Sequence, residues 1–158
     1  MYLRSTLCAV SFMALATAAF AAPATPEGAA RITAKLQNYF PAAGVVTVTP
    51  QGDTYELKLD PAPLFEAMDK DELQITISPF VLNLTDNGDG TWRVREDQSL
   101  SGSFRAPHSA LTTFTVGRIV SDGIWDEKIG GFLTNHSEMT DYVSDSNQYQ
   151  EQGVPQED

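Results

Sequence analysis

The 158-residue chain has one cysteine, Cys8, which lies in the N-terminal apolar stretch. If that stretch is cleaved no thiol remains, which excludes disulfides, thiolate metal sites and a cysteine nucleophile. Histidine is almost as scarce, with only His108 and His136. His136 is followed by Ser137 and Glu138, which is not the H-E-x-x-H spacing that puts two imidazoles on one zinc. No G-x-S-x-G elbow offers a strained serine, and Gly130-Gly131 lacks the lysine of a phosphate loop. Basic residues are outnumbered, 10 Lys and Arg against 21 Asp and Glu, for a net charge of -11. Loss of Arg4 with the leader takes -11 to -12. Such a charge repels nucleic acid and anionic membrane surfaces. No catalytic, cofactor-binding or metal residue is therefore assigned, and the reading leans away from an enzyme.

What is present begins with a leader. "MYLRSTLCAVSFMALATAAFAAPA" has a basic start at Arg4, an apolar run over 7–20, and the small-x-small step Ala19-Phe20-Ala21. This predicts a secretory signal over 1–21, cleaved after Ala21, with no stable transmembrane span afterwards. Cys8 precedes most of the apolar run, so it is not a lipoprotein cysteine. An exported chain without disulfides points to a bacterial periplasm. The remainder is long enough for one modest core, read as a single domain over 22–145 with a disordered acidic tail over 146–158.

Thr25-Pro26-Glu27 carries an N-cap, a first-turn proline and a first-turn acid, and so predicts a helix start. Ile32, Leu36, Tyr39 and Phe40 follow on one helical face, before Pro41 and Gly44 stop it. The period then becomes two. Val46 and Val48 form one strand; Tyr55, Leu57 and Leu59 form the next, across a turn at 50–53. Asp60-Pro61 opens a short helix with Leu64, Phe65 and Met68 on one side, and the acidic patch 69–72 reads as a loop. Leu73, Ile75 and Ile77 alternate on odd numbers and Phe80, Leu82 and Leu84 on even ones, so a bulge or bend is expected at Ser78-Pro79. Trp92 and Val94, Leu100 and Phe104, then Phe114 and Val116 give further strands. Beyond Gly117 the pattern weakens. "DGIWDEKIGGF" reads as a turn with a short helix or irregular piece, and "HSEMTDYVSDS" as a weak last strand. The expected fold is α+β: an antiparallel β-meander with the N-terminal helix and the short second helix packed on one face.

The stretch "LTDNGDGTWRVRE" invites a calcium reading. With Gly90 at position six of an EF-hand loop, Asn87, Asp89 and Glu96 fall at three, five and twelve. Position one is Thr85, and both flanks read as strands. A hairpin turn is the better reading; a weak calcium site over the Asp86 to Glu96 loop, through Asp86, Asn87 and Asp89, is the alternative. Asp126-Glu127 reads as solvated charge on a surface turn, and Trp125 as a plug at the end of the sheet. Two function classes follow. One is a non-enzymatic envelope module that binds an apolar small molecule, an envelope protein or a second copy of itself through an open sheet edge. The other is a small periplasmic hydrolase using His108 or His136 with nearby acids.

The order of "GDTYELKLDPAPLF", "ISPFVLNLTDNGDGTW" and "GIWDEKIGGF" resembles alphaproteobacterial periplasmic proteins of the DUF2125 and DUF945 type, over residues 29–144. The resemblance implies a β-rich envelope protein and no catalytic residues. This chain is shorter than such proteins, as one unit of a longer sheet would be.

Overall fold

The computed structural model describes residues 23–66, 68 and 73–147. The leader, the acidic patch at 69–72 and the tail from 148 onward lie outside the described residues. The fold is α+β, with one antiparallel sheet. Helix α1 spans Pro26–Gln37, and the Thr25 hydroxyl accepts from the Gly28 amide at 3.0 Å as its N-cap. Strands β1 (Val46–Gln51) and β2 (Thr54–Leu59) form the first hairpin. Its turn is tighter than expected, because Pro50 and Gln51 already pair with Tyr55 and Thr54. Helix α2 is Ala62–Glu66; then come β3 (Gln74–Ile77) and β4 (Phe80–Asp86). Three long strands complete the sheet: β5 (Thr91–Arg105), β6 (Leu111–Asp126) and β7 (Gly131–Asn147). Among the described residues no helix is long and apolar enough to cross a membrane.

The sheet order is β1-β2-β4-β5-β6-β7, and β3 departs from the simple meander by pairing with β5 instead of β4. β3 and β4 lie end to end along β5: β3 faces residues 102–105 and β4 faces 92–95. The slip at Ser78-Pro79 separates them. There the Ser78 amide donates to the Ser101 carbonyl at 2.8 Å, and the Ser78 hydroxyl accepts from the Ser101 amide at 3.0 Å. The same break runs on across the sheet. The register of β5 against β6 shifts between Gln98 and Leu100, and Gly117 and Asp141 stand opposite each other unpaired on β6 and β7. Bulges bend strands and raise their twist, so this line divides the sheet into two halves.

Only one half has a helical cover. The core joins Ala29 of α1 to Val45, Val46, Tyr55, Leu57, Leu84, Trp92 and Val94, with Ile32, Leu36, Phe40 and Trp125 packed around it. Trp92 and Val94 are buried while Arg93 and Arg95 reach solvent, which fixes the dry face as their alternation requires. Two helical expectations need correction. Tyr39 is 79% exposed, because α1 ends at Gln37 and Tyr39 falls in the turn beyond the helical stripe. α2 is only five residues long, and Leu64 and Met68 are 39% and 40% exposed, so it lies beside β3 and adds nothing to the core.

The chain beyond Gly117 also differs from expectation. It is the longest strand pair of the fold, with "DGIWDEKIGGF" running from the end of β6 through a short turn into β7. Ser146 and Asn147, assigned to the tail, pair with Thr112 and Leu111. The bulge at Gly117 explains the lost signal. Residues 112, 114 and 116 share a face with 119, so the alternation changes phase mid-strand.

Candidate functional site

The hairpin turn between β4 and β5 uses its own acids. Asp86 Oδ1 accepts from the Gly88 amide at 2.8 Å, and Asp89 Oδ1 accepts from the Thr91 amide at 2.9 Å and the Thr91 hydroxyl at 2.6 Å. The Thr91 bonds hold the Asp89 carboxyl below its ordinary 3.8. Asn87 Nδ2 donates to Thr91 Oγ1 at 2.9 Å. Gly88 and Gly90 take φ 77° and 86°, the left-handed turn conformation that glycine adopts without strain. Glu96 lies down β5, on the order of 15 Å from Thr91 at ~3.3 Å per residue. It accepts there from the Gln98 side chain. The EF-hand ligands are not brought together, and among the described residues no three His, Cys, Asp or Glu converge as a metal site.

The two histidines are also apart. His108 sits in the β5–β6 turn with φ 55°, while His136 is on β7 opposite Asp122, its Nε2 3.1 Å from Glu138 Oε1. The stretch of β6 from Leu111 to Asp122 separates them by on the order of 35 Å. Neither lines either of the two clefts described below.

The first cleft, about 260 Å³, lies between α1 and two turns, and is lined by Arg31, Lys35, Asp86, Trp92 and Glu127. Here the expectation of solvated charge fails for Glu127. Its Oε1 accepts from the Trp92 indole at 2.8 Å, its Oε2 pairs with Lys35 Nζ at 3.2 Å, and its amide donates to the Gly90 carbonyl at 3.1 Å. One side chain thus ties α1, β5 and the β6–β7 turn. No sequence pattern marks it, because its partners lie far along the chain. The Trp92 bond first, then Lys35, holds the Glu127 carboxyl below its ordinary 4.5. A depressed carboxylate stabilises the fold above its unfolded pKa, and that contribution is lost as pH falls through the folded one. Glu127→Gln is expected to flatten the loss of stability on acidification below pH 4.5, read by urea melts at successive pH values.

On the wet face two exposed bidentate pairs clamp β5 to β6. Arg93 binds Asp122, and Arg118 binds Asp97 at 2.8 and 2.7 Å. Each guanidinium bond lowers its aspartate pKa, and both pairs are open to solvent and so contribute little stability.

The second half of the dry face is the candidate surface. Past the break it carries Ile75, Ile77, Leu100, Phe104, Phe114 and Tyr142, aligned by the β3–β5–β6–β7 register. A shallow cleft of about 460 Å³ opens there around Ile77, Gly102 and Phe114. Phe104, Met139 and Tyr142 are 47%, 61% and 63% exposed. β7 borders this half, and after Gly131 every one of its residues is exposed. Its outer edge bears no strand among the described residues. Trp125, read as an end plug, instead packs against the core and meets Phe132 edge-on at 5.2 Å. Set against protein-family models, curated proteins and solved structures, the chain matches none of them.

Proposed function

We propose that this chain is a non-enzymatic periplasmic module, exported by cleavage after Ala21, that holds a partner protein on the outer edge of β7. The observation that carries this reading is β7 itself. A 17-residue edge strand with open amides and carbonyls, beside an uncovered apolar face, is a template for strand addition. Both clefts are open to solvent, which favours a protein over a small apolar ligand as the occupant. The resemblance to alphaproteobacterial periplasmic proteins adds to the same reading. Photo-crosslinking in intact cells tests it. A photoreactive residue at Thr134 or Thr140 of β7 is expected to give protein adducts, whereas one at Thr47 of β1 gives few. The mature mass should begin at Ala22. Equal yields from the two edges, or adducts to lipid alone, would overturn the reading.

A further inference from the structure

The partner can be made specific, on the strength of the reading just given. β7 pairs regularly with β6 except at two residues. Leu133 is skipped, since Ile124 faces Thr134 while the next residue, Trp125, faces Phe132. Asp141 is the other: it holds φ 56° opposite Gly117, whose Cβ would fall 2.7 Å from Asp141 Cβ. Leu133 and Asp141 are equally far from Ser137 along the chain. Between them Asn135, Ser137 and Met139 share the face of Ile119, and Thr134, His136, Glu138 and Thr140 share the face of Arg118 and Asp122. Beyond the irregular residues, Phe132 and Tyr142 both return to the first face, opposite Trp125 and Val116.

β7 is therefore symmetric about Ser137. We propose that a second copy of this chain occupies the β7 edge, antiparallel, with a twofold axis through Ser137, so that two chains share one sheet. In that register Leu133 meets Asp141 of the second copy, so irregularity faces irregularity as Gly117 faces Asp141 within the chain. Phe132 meets Tyr142, Asn135 meets Met139, and Thr134 meets Thr140. His136 meets Glu138 twice, and no acid faces an acid. Neighbouring registers lose this fit. An axis through Glu138 sets that carboxylate against itself, and one through Met139 sets Asp141 against Ser137. Bulges and charges on an edge ordinarily repel other strands. Here they are placed so that the strand's own copy is accommodated, and closed twofold pairing consumes both edges. The exposed Phe132, Met139 and Tyr142 gain cross-strand neighbours on the dry face.

Directly opposed residues of antiparallel strands have Cα atoms about 4.5–5.5 Å apart, within disulfide reach. In a Cys8→Ser background, Ser137→Cys is expected to form a disulfide dimer in most of the protein under mild oxidation. Asn135→Cys and Met139→Cys should each do so about tenfold less alone, and efficiently when mixed. His136→Glu should weaken the dimer by about tenfold while leaving the melting temperature of the monomer unchanged. A monomer by light scattering at about 100 µM, with no Ser137→Cys product, overturns the second copy as occupant. Self-linking of Met139→Cys as efficient as that of Ser137→Cys overturns the register. If β7 photo-adducts contain only another protein, this inference fails while the partner-binding reading stands; if β7 gives no more adducts than β1, both fail.

Discussion

Replacing Trp92 with alanine is expected to remove about 3–5 kcal/mol of stability, the range for truncating a buried aromatic. Trp92 is 7% exposed and sits where every part of the covered half meets. Its ring lies 5.9 Å from that of Tyr55, its backbone pairs with Asp86 and Trp125, and its indole N–H reaches Glu127. Only one half of the sheet has a helix over it, so few other side chains could fill the space. A domain of this size holds roughly 5–15 kcal/mol in all, and the loss should lower the melting temperature by on the order of 15 °C. Trp92→Phe separates the contributions. It keeps most of the ring and loses the charge-assisted hydrogen bond, which at the partly exposed Glu127 is worth about 1 kcal/mol. Denaturant melts of the two variants should therefore differ severalfold in their effect. Equal losses would mean that the Glu127 bond, not packing, makes Trp92 important.

The covered half of the molecule was legible in the sequence. Thr25-Pro26-Glu27 marks the helix start because capping is local, and Trp92/Val94 against Arg93/Arg95 marks the faces because the sheet has one wet side. The slip at Ser78-Pro79 could be read for the same reason. The other half was not legible. Gly117 shifts the phase of β6, so Phe114, Val116 and Ile119 no longer share one period. β7 is exposed on both faces and therefore has no apolar rhythm to detect, although it is the longest strand. Its symmetry about Ser137 emerges only once the skipped residues are known from pairing. Glu127 was missed on different grounds: its partners Trp92 and Lys35 lie 35 and 92 positions away along the chain. The calcium template failed in an instructive way. Its spacing matches several ligand positions, but a strand spreads those residues along one line where an EF-hand loop would wrap them round an ion.

Gly28→Ala is expected to destabilise the protein, although the same change in a free helix stabilises by about 1 kcal/mol. Gly28 is in the first turn of α1 and is buried against Tyr55. A Cβ there would overlap the Tyr55 hydroxyl and fall 2.8 Å from its Cζ. Tyr55 cannot easily give way. It is 6% exposed, stacked near Trp92, paired with Pro50 and Leu84, and its hydroxyl accepts from the Thr25 amide at 3.2 Å. Overpacking of this kind costs about 1–3 kcal/mol, which exceeds the propensity gain and reverses its sign. The clash also pushes on the N-cap, because Thr25 holds both the Gly28 amide and the Tyr55 hydroxyl. A double-mutant cycle identifies the cause. Tyr55→Phe alone loses the Thr25 bond, about 1 kcal/mol, yet it removes the atom nearest the new methyl group. The cost of Gly28→Ala in the Tyr55→Phe background should therefore be smaller than in the wild type, with a coupling of at least ~0.5 kcal/mol. Additive losses would place the strain elsewhere in α1. A stabilising Gly28→Ala would mean that α1 stands further from β2 than Tyr55 requires.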